Sequence, residues 1–577
     1  MKKLISLILA LALCLGMAVF PAAAEETLDV TTLYKNKDVD DTWSTDAAVI
    51  TLEGSTASSD AAGVEISGNT VKITREGEYI LSGSLQGQVV IEVAETEKVH
   101  LILNGVTIES AEGPAIYEKL SDKLIVTLAE GTVNTLSDQT AVQDGDDTIA
   151  AALYAEDDLS INGKGTLIVS GNAGNGIHSK ADLVIADGTY EITSANDGIK
   201  GRNSVLVLAG SLKIQSAADG IVSTRDDKEG KGYVVIAGGT LSITTGSGAG
   251  TVNQKTIAGR RNMGWDWDSQ TTSDGDSTSI KGIKAATDLT VLGGEIDINA
   301  EDDALHANQI MVSGGNLQIR TGDDGLHGDT AISIQGGTMN IAQSYEGIES
   351  AAITISGGAT TVNASDDGVN ATSGSAVSGW NREADDGSML TITGGELYVT
   401  AGYDGLDSNG GIAITGGVVG IAAAAGMGDS YVDANGTSTA TGGTLIIATT
   451  GNAGFSGATV MAVSASGSAG SEISLLKGDG TVLGSFVPQS SYSVVLVASS
   501  ELASGDACEV RVQNQTVYSG ALTGTSYSAG GFGGQGGGFG GQGGGFGGQG
   551  GGFGGQGGGF GGQGGGRGGH GGGRGGW

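Results

Sequence analysis

Cysteine, proline, aromatic side chains and positive charge are all scarce in this chain. It has 2 Cys, 3 Pro, 5% aromatics, and 28 Lys and Arg against 65 Asp and Glu in 577 residues. Each shortage excludes something. Cys14 lies in an apolar run at the start, so once that run is removed Cys508 stands alone and no internal disulfide forms. Stability must then come from stacked strands and bound metal. The formal charge of −37 rules against nucleic acid and anionic membrane as partners, whose phosphates such a surface repels. Cations and neutral polymers remain. With so few aromatics, the core has to be filled by Ile, Leu and Val. Long helices are excluded, because glycine and β-branched residues interrupt every candidate window.

The apolar run spans Leu4 to Phe20, follows Lys2 and Lys3, and ends in Ala22, Ala23 and Ala24. This is the pattern of a secretory leader over residues 1–24. Leu13 is large for the position before a lipidated cysteine, so the reading is a secreted protein, or one retained at the cell surface, with no transmembrane segment in the mature chain. Loss of Lys2 and Lys3 takes the charge from −37 to −39.

Glycine is abundant, with 107 residues, and it keeps time. An acidic turn stands as Asp323-Asp324-Gly325-Leu326-His327, with looser copies at Asn196-Asp197-Gly198, Ala218-Asp219-Gly220, Asp302-Asp303-Ala304, Tyr345-Glu346-Gly347, Asp366-Asp367-Gly368 and Tyr403-Asp404-Gly405. The small residue falls at 176, 198 and 220, then at 282, 304, 325, 347 and 368, in steps of 21 or 22. Within one repeat, Ala331-Ile332-Ser333-Ile334 and Thr338-Met339-Asn340-Ile341 alternate apolar and polar around Gly336-Gly337. Alternation marks short strands with one face inward, and the glycine pair makes a sharp corner. Three strands and three corners in about 22 residues predict one coil of a parallel β-helix. A propeller blade needs roughly 40–50 residues, and a leucine-rich frame is missing.

The repeat predicts an all-β solenoid over residues 25–463, with polar insertions at 246–279 and 373–388. A β-rich cap follows over 464–527. The tail over 528–577 sets Phe532, Phe539, Phe546, Phe553 and Phe560 seven apart in glycine. Such a tail cannot offset its ordering entropy, and is expected to be a disordered spacer or a sticker for self-association.

The acids recur at one phase as Asp197, Asp219, Asp303, Asp324, Glu346, Asp367 and Asp404, doubled at Asp302, Asp323 and Asp366. On neighbouring coils they lie about 4.8 Å apart, where like charges repel by roughly 1–3 kcal/mol per pair. Either their pKa values rise or cations bind. Carboxylates with turn carbonyls suit calcium, and Asp407, Glu349 and Asn370 on the following strand are placed to complete such sites. The alternative is that the acids cap turns and stay solvated. His178, His306 and His327 share a phase that also holds Lys200, Val222, Lys284 and Glu349, so the ligand set is not maintained and outward-facing polar residues are expected there. Trp265, Trp267 and Trp380 lie in the two insertions, where sugar rings stack on such aromatics. With His306, His327 and Tyr345 they are the candidate carbohydrate contacts.

The chain resembles a family of secreted bacterial carbohydrate-binding β-helix proteins first described from a cellulose-degrading clostridium. The matching text is Gly77-Glu78-Tyr79-Ile80-Leu81-Ser82-Gly83, Val99-His100-Leu101-Ile102-Leu103-Asn104-Gly105-Val106, Asp158-Leu159-Ser160-Ile161-Asn162-Gly163-Lys164-Gly165 and the acidic turns, over roughly residues 40 to 520. The resemblance implies a right-handed parallel β-helix similar to polysaccharide lyases, with bound calcium, that binds cellulose or pectic polygalacturonate without established catalysis. Two other readings stay open. A calcium-dependent lyase needs a base such as Arg320 or Arg202, neither of which lies in a recognisable motif. A structural adhesin would use the tail for assembly.

Overall fold

The computed structural model describes residues 28–250, 279–374, 384–423, 431–449 and 460–522. The expected leader, Trp265, Trp267, Trp380 and the glycine-rich tail from residue 528 lie outside the described residues. The described residues are all-β apart from a 3-10 turn at Val30–Thr32 and a short helix at Asn36–Val39. Among them no helix is long and apolar enough to cross a membrane.

The main sheet is large, mixed and mostly parallel, and is arranged in a ring. Each repeat contributes three strands, and each strand pairs in parallel with its counterpart one repeat later. Asn175–Ser179 pairs with Ile199–Gly201, Asp182–Ile185 with Ser204–Val207, and Thr189–Ser194 with Ser211–Ser216. Register carries side chains into columns. Leu183, Val205, Val234, Leu289, Ile310, Ile332, Ile353, Leu390 and Ile412 stand in successive register, each at most 2% exposed. Each such side chain contributes about 1.5–3 kcal/mol by burial, and the core is of stacked Ile, Leu and Val as composition required. Parallel order stops after Ser438–Thr449. That strand pairs antiparallel with Tyr492–Ser499, and four further strands over 473–521 form a separate antiparallel sheet.

Glycine serves two physical purposes. The second member of the corner pairs takes a left-handed conformation, as at Gly337 with φ 82°. The glycine of the acidic turn does not. There the requirement is space: a Cβ on Gly347 would lie 2.2 Å from the Gly368 carbonyl oxygen and 2.3 Å from Val362 Cγ1.

Some strands break the alternation. Ser204–Val207 is buried at every position, and Tyr233–Ile236 at its last three. Their outer face is covered by the N-terminal segment, whose Leu28, Val30, Leu33 and Tyr34 pack against Val184, Leu206 and Val235. A strand covered on both faces reads as a continuous apolar run, and that is the text of these strands. The segment is pinned further on by Asp38, which is 2% exposed and pairs with the equally enclosed Lys123.

Glu118, on Ile116–Leu120, is fully buried. Its Oε2 accepts from the Asp157 N–H at 3.1 Å, and its Oε1 has no hydrogen-bond partner. Burial pushes its carboxyl up to about 7 from 4.5, against the pull of that hydrogen bond. The folded chain thus keeps the proton to higher pH than the unfolded chain. Glu118's contribution to stability is intact below about 4.5 and is lost as pH rises through about 7. The shift sets a ceiling of about 3 kcal/mol, of which structural relaxation leaves on the order of 1–2. Glu118→Gln is expected to stabilise the protein by that amount in urea unfolding at pH 8 and by little at pH 4.5; an equal effect at both would remove the titration argument.

Candidate functional site

The residue two positions after the small residue forms a continuous column along the parallel sheet. Its members are Tyr117, Tyr154, His178, Lys200, Val222, Lys284, His306, His327, Glu349, Asn370 and Asp407, each in register with the next. The column runs from aromatic to basic to acidic. Beside it runs the acid column predicted from the turns.

The acids are not a solvated edge. Asp197, Asp219, Asp303, Asp324, Glu346, Asp367 and Asp404 are all buried, at 3–9% exposure. One oxygen is used within the fold. Asp197 Oδ1 accepts from Asp219 N–H at 3.3 Å, Asp303 Oδ1 from Asp324 N–H at 3.1 Å, Asp324 Oδ1 from Glu346 N–H at 3.2 Å, and Asp367 Oδ1 from Asp404 N–H at 2.9 Å. A turn N–H that leaves the strand ladder needs an acceptor, and the acid of the preceding repeat supplies it. The turn role and the ladder therefore coexist, on different oxygens.

In the first half of the column, basic residues meet the other oxygen. Lys200 Nζ lies 3.0 Å from Asp197 Oδ2. Lys281 Nζ lies 2.9 Å from Asp302 and 2.6 Å from Asp303, beside Asp323, so a lysine ammonium already stands at this acid group. Burial alone would raise the Asp303 carboxyl, but His306 and Lys281 hold it well below the usual range. His306 Nδ1 is 2.9 Å from Asp303 Oδ2, and His327 Nδ1 is 2.9 Å from Asp324 Oδ2. Burial works against charge on His327, yet Asp324, Asp303 and Glu349 outweigh it and raise its pKa to about 9. His178 shares the column but not this setting. It packs edge-on against Tyr154 at 4.9 Å, and burial, with Lys200 and Lys180, lowers its pKa to about 3.

From Glu346 onward the two columns contain no basic residue. Ligand atoms of Glu346, Asp366 and Asp367 lie within 4.8 Å of one another, as do those of Asp404, Asp407 and Asp433. Burial, then Glu349, Asp324 and Asp367, push the Glu346 carboxyl well above its usual range. Burial and Asp324 push Glu349 up to about 8. Between them Asn370, 9% exposed, donates through Nδ2 to Glu346 Oε2 at 2.9 Å, while its Oδ1 is buried without any donor. Clustered carboxylates, one of them Glu346 held above its usual range, with a buried amide oxygen left over, fit a hard divalent cation such as calcium. Glu346, Asp366, Asp367, Asn370, Asp404, Asp407 and Asp433 are the residues that would hold it. Asp433 escaped sequence reading because it lies off the 22-residue beat, reaching the column only through the bridge between Leu406 and Val432.

Tyr345 is half-buried on the same turn as Glu346. Trp43, the tryptophan among the described residues, is 40% exposed near the first strands and was not anticipated as a sugar contact. Arg320 is exposed and lies 3.7 Å from Asp297.

The family model described as "Carbohydrate-binding domain-containing protein" matches residues 67–325. A carbohydrate-binding domain-containing protein of Acetivibrio thermocellus is 40% identical over 185 residues, which is 31% of this chain and 65% of the relative. The chain thus spans just under two thirds of that relative's length. A solved polysaccharide lyase-like protein from C. thermocellum, studied as a gadolinium derivative, covers 50% of this chain and 96% of its own, with 24% identity and a TM-score of 0.37. The sequence matches support a carbohydrate-binding family; the oxygen cluster from Glu346 to Asp433 lies beyond the matched segment.

Proposed function

We propose that this is a secreted or cell-surface carbohydrate-binding protein that binds calcium, and that its strand columns wind as a right-handed parallel β-helix closed by the antiparallel strands over 461–521. Its partner on this reading is a plant-wall polysaccharide of the cellulose or pectic polygalacturonate class, held without bond cleavage. The observation that carries the carbohydrate assignment is the match over residues 67–325. The calcium assignment rests on the enclosed oxygens from Glu346 to Asp433, where one column of acids meets another without a basic residue. Bound there, calcium would neutralise the acids and offer coordination positions to carboxylates of an acidic polymer. Trp43 and Tyr345 add aromatic faces of the kind that sugars stack on.

The test is a pull-down of the full mature chain on insoluble cellulose and on cross-linked polygalacturonate, with calcium and with chelator. Binding with calcium, loss under chelator and an unchanged polymer length are the expected results. Shortening of polygalacturonate would move the assignment to a lyase. Retention on neither polymer would sink both ligands and favour an adhesin.

A further inference from the structure

The third strand of each repeat turns its outward side chains onto a face of its own, apart from the acid column. Glu295–Ala300, Asn316–Thr321, Thr338–Ser344 and Ala359–Ala364 pair in parallel, and register sets Asp297, Gln318, Asn340 and Thr361 in one row, with Glu295 and Asn316 beside it. Leu317, Ile319, Met339 and Ile341 alternate with the outward residues and are at most 2% exposed, so packed core backs the face. The chain has 65 acids, yet the strands Asn316–Thr321, Thr338–Ser344 and Ala359–Ala364 contain none. Their one base, Arg320, lies 3.7 Å from Asp297.

The amides are ordered before any ligand arrives. Asn340 Nδ2 donates to Gln318 Oε1 at 2.9 Å, Gln318 Nε2 to Asn316 Oδ1 at 3.2 Å, and Asn316 Nδ2 to Glu295 Oε2 at 2.8 Å. A carboxylate only accepts, so the last bond fixes the direction of the whole series. A primary amide has two N–H groups and two acceptor lone pairs. The series uses one N–H of each, which leaves a donor and an acceptor on every amide, with neighbouring strands about 4.8 Å apart. Residues 247–250 border one side, where Ala249 N–H donates to Asn299 Oδ1 at 2.9 Å and Gln343 Nε2 to Gly250 O at 3.2 Å. At the far end Tyr398 continues the row and stacks on Phe486, with ring centroids 5.9 Å apart.

We propose that Asn316, Gln318, Asn340 and Thr361 form the binding face for a neutral polysaccharide, whose chain lies across the strands along the row. This rests on the carbohydrate-binding reading and gives it a place separate from the acid column. Sugar hydroxyls both donate and accept, as do the amides and Thr361. A uronate is disfavoured, because Glu295 and Asp297 stand at one end and the base that would meet its carboxylate, Arg320, is beside Asp297. The face is open to water, so each bond contributes little and retention comes from repetition along the polymer.

The test is retention of the full mature chain on insoluble cellulose and on cross-linked polygalacturonate, with calcium throughout, against Gln318→Ala with Asn340→Ala. The double variant is expected to bind cellulose about 10-fold or more weakly, from the loss of two residues' hydrogen bonds, and to bind polygalacturonate as the parent does. Added salt should leave the parent on cellulose, because no ion pair with a neutral chain is there to be screened. Thr361→Glu, at an exposed position, should also weaken cellulose binding, and it decides alone if the double variant does not fold. Cellulose binding equal to the parent's in these variants refutes the face and leaves the carbohydrate-binding reading standing. So does a parent held by polygalacturonate alone. Equal loss of both polymers refutes the separation of the two sites. A parent held by neither polymer sinks the carbohydrate-binding reading and this proposal with it.

Discussion

Replacing Asp38 by alanine lowers the stability of the strand body by about 3–5 kcal/mol, the usual result of stripping one partner from a buried ion pair. Asp38 and Lys123 are 2% and 5% exposed. The Asp38 carboxylate also accepts from Lys35 N–H at 2.7 Å and from Ser160 Oγ at 2.7 Å. Burial disfavours its charge, but Lys123, the Lys35 N–H and Ser160 more than offset this and lower its pKa. A depressed carboxyl stabilises the fold above its unfolded value of 3.8, and that contribution is lost as pH falls through the folded value. Alanine leaves the Lys123 ammonium enclosed and uncompensated. It also loosens the segment that covers Val184, Leu206 and Val235, so protease should cut near residues 28–40 faster than in the parent. Urea unfolding and timed proteolysis check both. A loss under about 1 kcal/mol, within the range of a surface ion pair, would mean that the pair is more solvated than its burial indicates. Asp38→Ala with Lys123→Met should recover much of the loss, because apolar replacement of both partners removes the stranded charge.

The same region shows where sequence reading stops. The repeat length, the inward alternation and the corner glycines were legible because each depends on neighbours within a few residues. The continuous apolar runs Leu183-Val184-Ile185 and Val234-Val235-Ile236 do depart from that alternation. Read against the alternating Ala331-Ile332-Ser333-Ile334, they signal a second covered face. What covers it is a segment about 150 residues or more away in sequence, which no local pattern reveals. The acid phase was legible for a similar reason, and the acids do form a column. Their burial and the hydrogen bonds from Asp324 N–H to Asp303 and from Glu346 N–H to Asp324 were not, because they depend on how one turn stacks on the next. Lys281 answers Asp302 and Asp303 from the preceding repeat, and it stands at the position where other repeats carry Asp, Glu or Asn, so a reading that followed the acids at that phase passed over it.

Glu346→Gln separates stability from cation binding, with opposite signs in the two conditions. In chelator the variant should be more stable than the parent. Glu346 is held well above its usual pKa by burial and by Glu349, Asp324 and Asp367, so the unfolded chain ionises more readily than the folded one. Its contribution is intact below about 4.5 and is lost as pH rises, which makes the gain of the variant largest at neutral pH and above. Removing one of several like charges relieves on the order of 1–3 kcal/mol. Glutamine keeps an oxygen for the Asn370 Nδ2 bond, now 2.9 Å from Glu346 Oε2, so packing is little changed. With calcium at a hundred times its dissociation constant, the proposed reading stabilises the parent by about 2.7 kcal/mol. The variant, short of one ligand, gains less, and the order of stabilities narrows or inverts. Thermal unfolding of both proteins with calcium and with chelator measures the four values. A parent indifferent to calcium, or a variant that responds equally, would show that the enclosed acids are held by the fold alone. The predicted crossover would instead mean that these repeats keep a repulsive arrangement in the free protein, and that bound metal converts it into stability.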